Sequence, residues 1–165
     1  MQQLSAEELL ALYASGQRDF EQIDLSKAYL FEADLRGINL QKSNLRAAHL
    51  PYANLNGANL RNAQLQGTEL SNAQLYQTEL SESNLQAANL SRANLRYANL
   101  RGANLSGANL HRADLYNADL SYADLSNADL SSANLEQANL GLAQLSGCNL
   151  FRAQNVELSQ AYFDS

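Results

Sequence analysis

Two histidines, one cysteine and seventeen carboxylates are the residues of this 165-residue chain able to move protons, act as nucleophiles or hold a metal. His49 and His111 are lone histidines with no second ligand at a metal-binding spacing. His111 has serines near it but neither a nucleophile elbow nor an oxyanion loop, so it makes a poor triad member. Cys148 stands where alanine usually stands in the pattern around it, as an inert small core residue would. Asp114, Asp119, Asp124 and Asp129 recur every five residues. A calcium or acid/base site needs such carboxylates to converge, and a regular repeat disperses them. The chain has no phosphate-binding G-x-x-x-x-G-K-[ST] loop and no G-x-G-x-x-G fingerprint. These residues predict no catalytic centre, no cofactor and no metal.

The same residues sit on a strict period. From Leu25 to Leu150 every fifth residue is Leu, and Phe20 starts the series. Two positions before each comes a small residue, mostly Ala, with Ser43, Thr68, Thr78, Ser83 and Cys148 as small substitutes and Ile23 and Ile38 as larger ones. Asn or Asp usually lies between, so the unit is A-[N/D]-L-x-x. A Leu/Ala-rich chain would be called helical on propensity. However, a step of five turns a helix by about 140° net, which winds the leucines around the axis and leaves no apolar stripe. A straight strand also fails, because five residues at a period of two send successive leucines to opposite faces. Both conditions are met when each unit is a short extended piece with Ala and Leu inward and the chain turns about 90° before the next. Four units close a square coil, and coils stack at about 4.8 Å. Residues twenty apart become vertical neighbours, which puts the two histidines roughly 15 Å apart and the four aspartates on four different faces.

The repeats from about Ile23 to Leu150 closely resemble the pentapeptide-repeat family, which implies an all-β, right-handed quadrilateral β-helix. The stretch LLALYASGQRDF resembles the opening of cyanobacterial members. Residues 1–19 read as an N-terminal capping α-helix and linker, 20–152 as the β-helix, and 153–165 as a C-terminal cap or dimerisation tail. Ser5-Ala6-Glu7-Glu8 forms a capping box, Leu4 and Leu9 take the staple positions, and Gly16 stops the helix. Leu9, Leu12 and Tyr13 are expected to face the first coil, as a solubility cap requires. A regulatory helix is the competing reading. Past Asn155 the register fails. Leu142 and Phe151 are large apolar residues at outward positions, and with Leu158, Tyr162 and Phe163 they mark a dimer or cap surface. The resemblance implies a homodimer through this end, whereas a tail folded back over Leu142 and Phe151 would make it a cap.

The chain is acidic, with a formal charge of -6, and lacks a basic leader and any long apolar run, which reads as cytoplasmic with no membrane and no direct nucleic-acid contact. The quinolone-resistance branch of the family imitates DNA and binds DNA gyrase, so the resemblance also implies a gyrase- or topoisomerase-directed mimic. A mimic should carry an acidic stripe, yet the four faces bear -1, 0, 0 and -1, with the remaining charge at the ends. The leading expectation is therefore a non-catalytic protein–protein interaction module, regulatory in one version, that binds an unidentified protein through its flat faces. Tyr76, Arg96, Tyr97 and Tyr116, with Arg101 and Tyr122 around the next corner, are the candidate partner surface, since Tyr and Arg dominate interface hot spots. Arg92 and Arg112 are vertical neighbours of like charge and form a candidate anion contact.

Overall fold

In the body of the repeat most backbone donors of a unit are met within the coil stack, and this accounting produces the coil. In the computed structural model, which describes residues 1–159 and 161, the unit Asn44-Leu45-Arg46-Ala47-Ala48 is representative. The Leu45 and Ala47 amides donate to the carbonyls of Gln64 and Gln66 in the next coil at 2.7 and 3.0 Å, and the Asn44 amide donates to Ile23 of the preceding coil at 2.9 Å. The Ala48 amide donates across the corner to Leu45 at 3.0 Å. That leaves the amide of Arg46, which donates to the Asn44 Oδ1 at 3.2 Å. The Asn or Asp of the motif is thus the acceptor for the one corner amide that no carbonyl reaches.

The second residue of each corner, from Gln22 at φ 56° to Arg152 at φ 58°, has a left-handed backbone, as a type II turn demands. Rungs pair through single parallel bridges between residues twenty apart, from Asp19 with Asn39 to Asn134 with Gln154. Extended strands are scarce because the chain turns every five residues. The leucines from Leu25 to Leu145 are buried, with the small residues between them filling the rest of the core. At about 2 kcal/mol or more per buried Leu, these columns dominate the stability. The polar residues at inward positions are satisfied: the hydroxyls of Ser43, Thr68, Thr78 and Ser83 donate to the carbonyls of Phe20, Leu45, Leu55 and Leu80 at 2.7–3.0 Å.

The first coil is closed by two elements. β1 (Gln2–Gln3) pairs in parallel with β2 (Ile23–Asp24), an added rung that the sequence reading did not anticipate. α1 (Ala6–Ala14) then crosses the end of the core, with Ser5 and Glu8 forming the reciprocal capping box. It stops in a Schellman arrangement, with the amides of Gly16 and Gln17 donating to Tyr13 and Leu12, and Gly16 at φ 104°. Leu9 is fully buried, and Tyr13 is half-buried with its hydroxyl donating to the Arg36 carbonyl at 2.8 Å. Leu12 is covered only in part, remaining 38% exposed in a shallow cleft beside Phe20 and Ile23.

The opposite end is less closed. Leu150, Cys148 and Ala153 are only half-buried, and the amides of Leu140, Leu145 and Leu150 have no backbone partner among the described residues. The tail residues Val156 and Glu157 lie beside Glu136–Asn139. Phe151 is 65% exposed, and the cap expectation turns also on residues of the tail that are not described. Tyr162 and Phe163 lie outside the described residues.

Candidate partner surface

The tyrosines of the candidate surface sit on successive coils of one corner, so the stacking that builds the core also brings their rings together. Tyr76 and Tyr97 meet edge to face at 5.5 Å between centroids, and Tyr97 and Tyr116 do so at 5.6 Å. The Arg96 guanidinium covers the Tyr116 ring at 4.4 Å and pairs with Asp114 at 3.1 Å. Four residues distributed over forty positions of sequence thus form one stacked patch, rigid because each ring is braced by the next. Arg101 and Tyr122 form a separate pair around the next corner, the guanidinium 4.2 Å from the ring and donating to the Ser121 hydroxyl at 3.1 Å. Leu142 stands in the coil after Tyr122 and beside it, whereas Phe151 stacks with Arg152 on a different corner. Leu142 and Phe151 therefore lie on different corners of the last coils.

Arg92 and Arg112 are exposed on adjacent coils with no side-chain partner among the described residues. His111, between them in sequence space, places its Nδ1 2.8 Å from the Ser131 hydroxyl. His49 tilts against Tyr29 at 6.1 Å, in the same column as Glu69. Both histidines are part of the surface ladder. The sequence reading missed a second aromatic patch, in which Phe31 lies between Tyr29 at 6.3 Å and Tyr52 at 5.9 Å. Residues 29, 31 and 52 occupy three different places in the repeat unit, so the unit pattern gave no sign of them, although their spacing near twenty did.

The acids act as ladder members. Asp129 accepts from the Ser131 amide at 2.9 Å and the Asn149 side chain at 3.0 Å, and the hydrogen bonds from Ser131 hold its carboxyl below the usual range. Glu69 is pushed up by burial, but the hydrogen bonds of Ser71 and Asn89 outweigh that and leave it lowered. The four aspartates at 114–129 lie on separate rungs, and no group of three or more His, Cys, Asp or Glu able to hold a metal occurs among the described residues. Burial, aided by the Asp129 charge, pushes the Cys148 thiol up to about 11. No described helix is long and apolar enough to cross a membrane.

A comparison with curated proteins gives no match. Among solved structures, the chain is similar to HetL, a pentapeptide repeat protein involved in heterocyst differentiation regulation from the cyanobacterium Nostoc sp. strain PCC 7120, at 31% identity over 96% of each chain and a TM-score of 0.45. It is similar to alr5209 from Nostoc PCC 7120 at 30% identity over 99% of this chain and 98% of that one, with a TM-score of 0.42. QnrB1, a plasmid-mediated fluoroquinolone resistance protein, shares the fold at 22% identity and a TM-score of 0.60, over 88% of this chain and 80% of its own. The family model for pentapeptide repeats matches in eight copies, from residues 17–46 to 123–163. The chain belongs to the pentapeptide-repeat family, whose members are non-catalytic scaffolds.

Proposed function

We propose that this chain is a cytoplasmic protein-binding rod whose partner is a topoisomerase of the gyrase kind, docked in place of duplex DNA. Charge counting over the faces ranked this reading second. It moves forward on one observation, the coil stack held in common with a fluoroquinolone resistance protein at a TM-score of 0.60. The likeness is one of fold, and the chemistry of the faces agrees with it in one respect. Carboxylates such as Asp24, Glu69 and Asp129 are held by hydrogen bonds below their usual range, so they are fixed anions at separate points of the rod, set among neutral amides. The test is DNA supercoiling by gyrase with increasing amounts of the purified chain. Inhibition that excess linear duplex relieves is expected. Unchanged supercoiling, together with no capture of gyrase on the immobilised chain, overturns the topoisomerase reading.

A second reading rests on the braced patch of Tyr76, Arg96, Tyr97 and Tyr116, which suits a different protein partner. Replacing these four by Ser should abolish capture of such a partner while leaving gyrase inhibition intact. The exposed Phe151 and the last-coil amides of Leu140, Leu145 and Leu150, which have no backbone partner among the described residues, favour a homodimer through the C-terminal end. Light scattering should then show a dimer that Phe151→Ser weakens.

A further inference from the structure

One corner of the rod differs from the other three. It is the corner that follows Leu30, Leu50 and each later leucine of that face, and its column of second turn residues runs Glu32, Tyr52, Asn72, Arg92, Arg112, Ser132, Arg152. All seven have left-handed backbones with φ between 54° and 60°, so their side chains leave the corner in one common direction. Over six coil steps, about 29 Å at the usual strand spacing, the edge changes in kind. Its first two coils carry the mutually stacked Tyr29, Phe31 and Tyr52, of which Tyr29 is 68% exposed. Its later coils carry Arg92, Arg112 and Arg152. Arg152 lies over the Phe151 ring at 5.1 Å, and the other two guanidiniums have no hydrogen bond or ion pair among the described residues.

None of the nearby acids forms an ion pair with Arg92 or Arg112 among the described residues. Asp129, on the same face, is held by Ser131 and Asn149, and Asp114, on the other side of the corner, is paired with Arg96. The face that carries this edge is neutral overall, with Arg92, Arg112 and Arg152 against Glu32, Glu69 and Asp129, but its three arginines are gathered on the later coils, where Asp129 is the one acid of that face. A cluster of that form attracts a short acidic segment, while the net charge of -6, most of it at the two ends, disfavours a long polyanion.

We infer that this edge is a docking strip for an extended peptide that carries aromatic or aliphatic residues at one end and a run of carboxylates at the other. The rings supply apolar and edge-to-face contact with little ordering cost, because each is already braced by its neighbour. The guanidiniums of Arg92 and Arg112, whose corners are stacked about 4.8 Å apart, then donate to carboxylates at outward positions of the strand. The inference goes beyond the topoisomerase reading and is independent of it, since it concerns a basic strip and an acidic ligand.

The experiment uses the full chain and a fluorescein-labelled nine-residue peptide of three phenylalanines, two glycines and four glutamates, followed by anisotropy in low and high salt. Controls replace the glutamates by lysines, or the phenylalanines by serines, or the peptide by a labelled single-stranded oligonucleotide. Arg92→Gly with Arg112→Gly removes both charges, and Tyr52→Gly removes a ring. Glycine is favoured at these positive φ angles, so the variants keep the fold, as a thermal melt verifies. The expected result is salt-sensitive binding of the glutamate peptide, weakened about tenfold by either variant and by loss of the phenylalanines. Binding that is equal for the lysine peptide, indifferent to the arginine pair, or weaker than binding of the oligonucleotide overturns the inference. Gyrase inhibition in the same variants is expected to stay at the wild-type level, which separates failure of this strip from failure of the proposed partner.

Discussion

The corner residues carry the main backbone strain of the molecule. A left-handed backbone costs a non-glycine residue about 1–2 kcal/mol, and Ala87 at φ 54° bears that cost where Gly107 at φ 65° does not. Ala87→Gly should therefore raise stability by about 0.5 kcal/mol, the relief being partly offset by the freer unfolded chain. Gly107→Val should lower it by about 1–2 kcal/mol through backbone strain alone, since a Cβ there meets nothing within 4 Å. Paired thermal melts check both. The ladder carboxylates give a second expectation. The Ser26 amide lowers Asp24, and Ser131 lowers Asp129. A depressed folded pKa stabilises the native state fully above the unfolded value, near about 4, and that contribution disappears as pH falls through the lower folded value. Melting temperature should hold from pH 7 to 5 and fall below pH 4, and Asp24→Asn with Asp129→Asn should flatten that acid limb. An unchanged limb would mean that other acids control it.

At the scale of elements, α1 and β1 close an end that would otherwise expose leucines and an unpaired edge. The closure relies on the cap, because nine residues form a marginal helix without tertiary support. Ser5→Ala removes the acceptor for the Glu8 amide and should cost about 1 kcal/mol. The loss should appear as faster amide exchange in residues 6–14 before the coils open. Uniform exchange across chain and helix would show instead that α1 unfolds only with the rod. The capping box and the Gly16 stop were legible in the sequence because both are local hydrogen-bond motifs. The pairing of Gln2 with Ile23 was not, since two glutamines carry no strand signature and the rung is defined by its partner alone. The partial exposure of Leu12 was also hidden, because helix periodicity fixes a face but not how completely the coil beneath covers it.

For the whole molecule, the core and the exterior have different tolerances to changes of register. Every unit contributes the same inward Leu and small residue, so deleting residues 101–105 should leave a rod that melts cooperatively within a few degrees of wild type. The same deletion rotates all later columns by one face. It should separate Tyr97 from Tyr116 and Arg92 from Arg112, and with them any binding that depends on those pairs. By contrast Leu85→Asp, at a position of 0% exposure, places an unpaired charge among the leucine columns. It should cost about 4 kcal/mol or more and abolish cooperative unfolding, as circular dichroism would report. A variant melting near the wild type would sink the inward-leucine assignment.

The period of five by itself determined the fold, because only a chain that turns after each unit can send both Ala and Leu inward, and that condition propagates identically through all the repeats. The same uniformity explains what the sequence left open. Surface columns consist of residues twenty apart, and their chemistry depends on which neighbours the turns place in contact. The tyrosine patch could be located by counting, since its members recur near that interval. Tertiary structure alone decided how the rings of Tyr29, Phe31 and Tyr52 meet, and that Val156 and Glu157 lie beside Glu136–Asn139. Those outcomes depend on side-chain direction at each corner and on the path of a non-repeating tail, neither of which the repeat constrains.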